Sequence, residues 1–148
     1  MTEKSTPSAT ARVVTYIVRV EFGDCDPACI VWYPNFSRWI DAASRHFFAQ
    51  CGVPPWHETE KTSGLIGTPV VDIHSRFMKT ASYGDTLEIH TSVSEWRDKS
   101  FVQHYRVMRG EDLIMECDEV RIFAARREGT STGIRAIAVP ADIRALCC

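Results

Sequence analysis

The chain lacks most of the features that would send its 148 residues to a membrane, a nucleic acid or a metal. No stretch approaches the roughly 18 consecutive apolar residues that a spanning helix needs. The opening "MTEKSTPSATAR" has no apolar core, so no secretory signal is read. Residues 1–12 are expected to be a disordered tail, and the cytosol is the expected compartment. Neither sign of charge dominates: 17 Lys+Arg against 19 Asp+Glu leaves −2. No global field therefore favours a nucleic acid or an anionic membrane as partner. Six cysteines (25, 29, 51, 117, 147 and 148) form no CxxC pair and no zinc-like set, so reduced thiols are expected. The five histidines give no HxH or HxxxH pair, and no metal site is expected. There is no internal repeat, low-complexity run or linker after residue 12, which implies one domain over 13–148.

What is present is an ordinary globular balance, 45% hydrophobic and 24% charged. In "VVTYIVRVEF" (13–22) the alternation of Tyr16, Val18, Val20 and Phe22 with Arg19 and Glu21 predicts a strand. The period then changes. Phe36, Trp39, Ile40, Ala43 and Phe47 fall on one face of a helix over 34–51, with Pro34 at its first position and Gly52 at its stop. A turn-rich loop follows, with one helical turn expected after Pro55. Strands are then predicted near 69–80, 84–96, 100–109, 112–125 and 134–139, separated by short Gly-containing turns. One early helix followed by consecutive antiparallel strands argues an α+β domain, the helix packed on one face of the sheet.

The segment "DCDPACIVWYPNFSRWIDAASR" (24–45) resembles the signature of hot-dog-fold acyl-CoA thioesterases of the 4-hydroxybenzoyl-CoA thioesterase type. The likeness continues through "CGVPPW", "GTP", "ASYGD", "EWRDKSFVQ", "DEVRIFA" and "RAIAVPAD". It implies a curved antiparallel sheet wrapped around one long central helix. It also implies dimers that join sheet edges, active sites between subunits, and a homotetramer of two such dimers. The implied activity is hydrolysis of an aromatic acyl-CoA, of hydroxybenzoyl or benzoyl type. No cofactor is expected, coenzyme A entering as part of the substrate. Two other functions fit the same family: a thioesterase for short or medium aliphatic acyl-CoAs, and a non-catalytic acyl-CoA-binding protein.

Hydrolysing a thioester requires one group to polarise the carbonyl and another to attack it or activate water. Asp26 precedes Pro27, which disfavours αR at position 26 and holds the carboxylate on extended or turn backbone just upstream of the helix. Backbone N–H groups at the helix start make a local positive end. Pro34 has no N–H, so the Tyr33 amide is the candidate oxyanion donor, as the resemblance also implies. Asp26 can act as nucleophile or as general base. Taken as an isolated motif, Asp-x-Asp-Pro reads instead as an Asx-type turn; Asp24 is assigned to that structural role.

Cys25 and Cys29 flank the site without a histidine to activate them and are read as packing residues. The related pattern commonly has Gly at position 29. Asp41 has two readings: a surface pair with Arg45 at i+4, or, as the resemblance implies, acceptor of a hydrogen bond from a ring hydroxyl. Trp56 and "LIGT" (65–68), including Thr68, are candidate walls of the acyl pocket. Arg97 and Lys99 are candidate contacts for the phosphates of coenzyme A, or else a solvated strand end.

Overall fold

The five apolar positions of the helical stripe, Phe36, Trp39, Ile40, Ala43 and Phe47, are all buried, and they set the frame of the molecule. The computed structural model describes residues 11–148. Within them α1 spans Pro34–Gln50, with Pro34 in its first turn as expected. It stops in a Schellman arrangement: the Gly52 N–H donates to the Ala49 carbonyl and the Val53 N–H to the Phe48 carbonyl, both at 3.0 Å. Gly52 takes the left-handed φ of 87° that this ending requires. Val53 then packs into the same apolar cluster as Phe48.

Seven antiparallel strands form one sheet: β1 (Val14–Arg19), β2 (Leu65–Gly67), β3 (Val70–Phe77), β4 (Thr86–Trp96), β5 (Ser100–Arg109), β6 (Asp112–Arg126) and β7 (Ile134–Ile137). The spatial order is β1-β4-β5-β6. β3 and β2 each pair directly with β6, β3 along Met115–Arg121 and β2 at Ala124–Ala125, and β7 pairs with β6 at Phe123–Arg126. The expected α+β architecture, one long helix on an antiparallel sheet, is what the structure shows.

Two apolar clusters join helix to sheet. Phe36, Trp39, Ile40 and Ala43 meet Val18, Leu87, Ile89, Tyr105 and Val107. Phe47 and Phe48 meet Val93, Phe101, Phe123 and Ile143. Aromatic edges dominate the second; Phe101 and Phe123 lie 5.0 Å apart.

Local differences from the sequence reading have plain causes. The loop after Pro55 holds two helical turns, α2 (Trp56–Ser63), closed by left-handed Gly64. β2 was not expected, because three residues carry no measurable alternation. "ADIRAL" forms a short α3 (Ala141–Leu146), whose Ile143 is buried in the second cluster. Of the expected tail, residues 1–10 lie outside the described residues. The Arg12 guanidinium donates to the carbonyls of Gln50 (2.9 Å) and Leu146 (3.4 Å).

β3 differs from the other long strands. It pairs with β6 along one edge only, and Val71, Ile73 and Phe77 are each about half exposed or more (57%, 50% and 51%). A bare strand edge with apolar side chains on it invites pairing with another chain.

Candidate active site

The Asp26 segment folds back on itself before entering α1. The Trp32 N–H donates to the Asp24 carbonyl, Cys25 bridges Val31, and the Asp26 N–H donates to the Ile30 carbonyl. At the tip, the Cys29 N–H donates to the Asp26 carbonyl at 2.9 Å, closing the turn Asp26-Pro27-Ala28-Cys29. Pro27 sits where a fixed φ is favourable, and Cys29 follows in the left-handed position that commonly completes such a turn. Its φ of 65° is the one positive φ outside glycine among the described residues. The physical reason for a glycine in the related pattern is therefore conformational: a Cβ in this region costs on the order of 1–2 kcal/mol.

The Asp26 carboxylate is half committed. Oδ1 accepts the Ala28 N–H at 2.8 Å, the Asx turn expected of the bare motif. Oδ2 has no hydrogen-bond partner among the described residues. One oxygen holds the side chain while the other is free to take a further partner. The carboxylate lines an apolar cavity of about 580 Å³ with Phe22, Cys25, Pro27, Cys29 and Tyr83. Asp24 is used differently. Its Oδ2 accepts the Glu21 N–H at 2.8 Å, and its carbonyl accepts the side-chain amide of Asn35 at 2.8 Å. Asn35, buried in the first turn of α1, thus ties the Asp26 segment to the helix. Sequence reasoning passed over it, because an Asn beside Pro34 reads only as a helix-start residue.

At the start of α1 the donors are spent locally, with one exception. The Asn35 N–H donates to the Trp32 carbonyl and the Phe36 N–H to the Tyr33 carbonyl, while Pro34 has none. The Tyr33 N–H has no partner among the described residues. Tyr33 itself is in the αR region (φ −55°, ψ −31°), which the following proline disfavours. Asn35 and the Trp32 bond hold it there.

Within one chain Asp26 and Tyr33 line different cavities. That of Tyr33, about 280 Å³, is bordered by Ile30, Val31, Phe77 and Met78, at the end of the bare strand β3.

Asp41, Trp56 and Thr68 are brought together. They line a cavity of about 400 Å³ with Ile66, Ile134 and Arg121. Behind it is a buried polar chain that the sequence reading missed. The Tyr105 hydroxyl donates to Glu119 at 2.6 Å. Arg121 grips Glu119 through Nε (2.9 Å) and Nη2 (3.2 Å). Burial pushes the Tyr105 hydroxyl well above its ordinary range, and the Glu119 charge adds to this. Burial opposes the Arg121 charge, but the pull of the Glu119 carboxylate outweighs it and keeps the guanidinium above its usual range. A signal for the chain was present in "CDEVRIF". Glu119 and Arg121 occupy successive inward positions between apolar Cys117 and Phe123.

Arg97 and Lys99 line none of these cavities. Arg97 donates from Nε and Nη2 to Glu95 at 3.1 and 3.2 Å, and Lys99 is exposed. His104 lies on the sheet face opposite α1, its Nδ1 2.7 Å from Asp118. Among the described residues no three His, Cys, Asp or Glu side chains are grouped to hold a metal.

Burial raises the thiols of Cys51 and Cys147, and that of Cys117 to about 12, against an ordinary value of 9.0. Folding therefore holds these protons and that of Tyr105. As pH climbs past 9, the unfolded chain releases them first, so stability falls, each group contributing up to about 1.4 kcal/mol per pH unit. Urea unfolding at pH 8 and pH 11 is expected to give a clearly lower midpoint at pH 11. An unchanged midpoint contradicts the burial of these groups.

The thioesterase-like superfamily model matches residues 20–146. The chain belongs to that superfamily. It is 51% identical over 142 residues to the 4-hydroxybenzoyl-CoA thioesterase of Pseudomonas sp. (strain CBS-3), covering 93% of this chain and 99% of the relative. Among solved structures, a mutant 4-hydroxybenzoyl-CoA thioesterase complexed with 4-hydroxybenzoyl-CoA superposes with a TM-score of 0.88. It has 50% identity and covers 93% of this chain and all of that one. A gentisyl-coenzyme A thioesterase matches at TM-score 0.76 and 30% identity, over 88% of this chain and 99% of its own. The superfamily expected from the segment around Asp26 is thus the one to which this thioesterase-like chain belongs. No helix of the described residues is long and apolar enough to cross a membrane.

Proposed function

We propose that this chain is an acyl-CoA thioesterase that hydrolyses an aromatic acyl-CoA, of hydroxybenzoyl or benzoyl type, to the free acid and CoA. The observation that carries the reading is that one short folded segment presents an unspent amide and an unspent carboxylate oxygen, each at a cavity of its own within one chain. The thioester oxygen accepts from the Tyr33 N–H, which stabilises the charge that develops there as the carbonyl carbon turns tetrahedral. Asp26 Oδ2 either attacks that carbon, giving a mixed anhydride that water cleaves, or removes a proton from an attacking water. In both routes CoA leaves as the thiolate and is then protonated. Every step uses residues of the protein; coenzyme A is substrate and product. The neighbours' activities on 4-hydroxybenzoyl-CoA and gentisyl-CoA support an aromatic acyl group.

A second copy belongs to the same proposal. The Tyr33 cavity opens at the bare edge of β3, so pairing of two β3 edges walls the site from both chains, and two such dimers make the homotetramer. Replacing Ile73 with Glu at that edge is expected to lower the mass measured by light scattering. An unaltered mass contradicts the β3 interface. The CoA phosphates are assigned to the surface outside these cavities, with Arg97 and Lys99 as contacts. Arg97 is then shared with or released from Glu95. Free thiols raised by burial suit a reducing compartment, and the cytosol is proposed.

Thiol release from a panel of CoA esters tests the substrate class. The expected order in kcat/KM is 4-hydroxybenzoyl above benzoyl, by roughly tenfold or more if a site hydrogen-bonds the hydroxyl, and both above straight-chain acyl groups. Preference for straight chains contradicts the aromatic assignment, and tight binding without turnover contradicts the enzyme.

A further inference from the structure

Arg121 sits at a junction of three elements, and its bonding there goes beyond what a structural ion pair requires. Its Nε and Nη2 are tied to Glu119, its Nη1 donates to the Thr68 carbonyl at 2.8 Å, and Nη2 also reaches Asp41 Oδ1 at 3.3 Å. The Arg121 side chain is only 5% exposed, while that of Asp41 is 52% exposed. A surface aspartate on a helix samples several rotamers. This one is held by one oxygen against a buried guanidinium that is itself bonded to Glu119 and Thr68. Its other oxygen, Oδ2, lies 3.9 Å from Arg45, beyond hydrogen-bonding reach. Ionised carboxylates accept about four hydrogen bonds between two oxygens, so Oδ2 retains its full capacity.

We infer that Arg121, itself fixed by Glu119 and through it by Tyr105, is a positioning residue that sets Asp41 as the acceptor for a hydroxyl on the substrate's ring. This rests on the aromatic acyl-CoA reading above. Arg121 delivers two lining groups of the 400 Å³ cavity at once, the Asp41 carboxylate and the Thr68 backbone. Specificity for the hydroxyl then depends on a residue that does not touch it. A lysine keeps the charge but cannot reproduce a fork that serves Glu119, Thr68 and Asp41 together.

The readout is selectivity, the ratio of kcat/KM for 4-hydroxybenzoyl-CoA to that for benzoyl-CoA. Arg121→Lys is expected to lower the ratio about tenfold, chiefly through KM for the hydroxylated ester. In an Asp41→Asn background the same substitution should move the ratio less than twofold, because the group through which it acts is already lost. Tyr105→Phe, which removes one hydroxyl and little volume, should lower the ratio twofold to threefold. It serves alone if Arg121→Lys does not fold. Equal losses on both esters, or a ratio that still falls tenfold in the Asp41→Asn background, overturn the inference in favour of a structural ion pair. A wild-type enzyme without preference for the hydroxylated ester overturns the role of Asp41 itself. A wild-type preference that survives Arg121→Lys and Tyr105→Phe overturns only the positioning.

Discussion

Asp26→Asn is expected to lower kcat on 4-hydroxybenzoyl-CoA by about 10²–10⁴-fold, the range supplied by a positioned base or nucleophile, while substrate binding changes little. Asparagine keeps the shape of the side chain, and its carbonyl oxygen can still accept the Ala28 N–H that holds Oδ1 in place. What is lost is the anionic Oδ2, and with it both the attack on carbon and the removal of a proton from water. Asp24→Asn provides the contrast. That carboxylate accepts the Glu21 N–H, a bond an asparagine oxygen can also accept, so Asp24→Asn should cost little stability and little turnover. An Asp26→Asn enzyme that keeps more than a tenth of the wild-type kcat removes Asp26 from the chemistry.

Tyr33→Pro is the second large effect. A backbone donor cannot be truncated by an ordinary substitution, but here the geometry permits its removal. Position 33 has φ −55°, within the range of the proline ring, and its N–H makes no bond to the rest of the described chain. The variant should fold, since no hydrogen bond of the fold is broken. Its kcat is expected to fall about 10²–10³-fold, the typical loss of one preorganised oxyanion donor. Tyr33→Ala keeps the N–H and removes the ring, and should retain most of kcat. If the two variants lose activity equally, the ring matters and the amide does not.

How legible these features were in the sequence depended on how local they are. Pro34, the apolar stripe from Phe36 to Phe47 and Gly52 are signals carried by a single helix, and each matched the structure. The half-committed state of Asp26 was also local, an Asx turn plus one free oxygen. The turn reading of that aspartate describes Oδ1. The chain Tyr105–Glu119–Arg121–Asp41 was not legible, because it joins two strands and a helix through positions far apart in sequence. Periodicity marks Glu119 and Arg121 as inward-facing but says nothing about what they meet. β2 and α3 escaped for a different reason: three and six residues are too few for a period, and their existence depends on packing around Leu65 and Ile143.

β3 was expected as a strand, and Val71, Ile73 and Phe77 fall on one of its faces against Asp72, His74 and Arg76 on the other. Val71, Ile73 and Phe77 stay half exposed in one chain, and an open apolar face of this kind is what marks an interaction surface. Asp26 and Tyr33 likewise line separate cavities of one chain.

A crystal structure of the Asp26→Asn enzyme with 4-hydroxybenzoyl-CoA bound bears most directly on whether acid and amide serve one reaction centre. The expected result puts the thioester oxygen about 2.7–3.1 Å from the Tyr33 nitrogen and the side chain at position 26 about 3–3.5 Å from the carbonyl carbon. A thioester seated with its oxygen on any other donor, or with position 26 out of reach of its carbon, contradicts it.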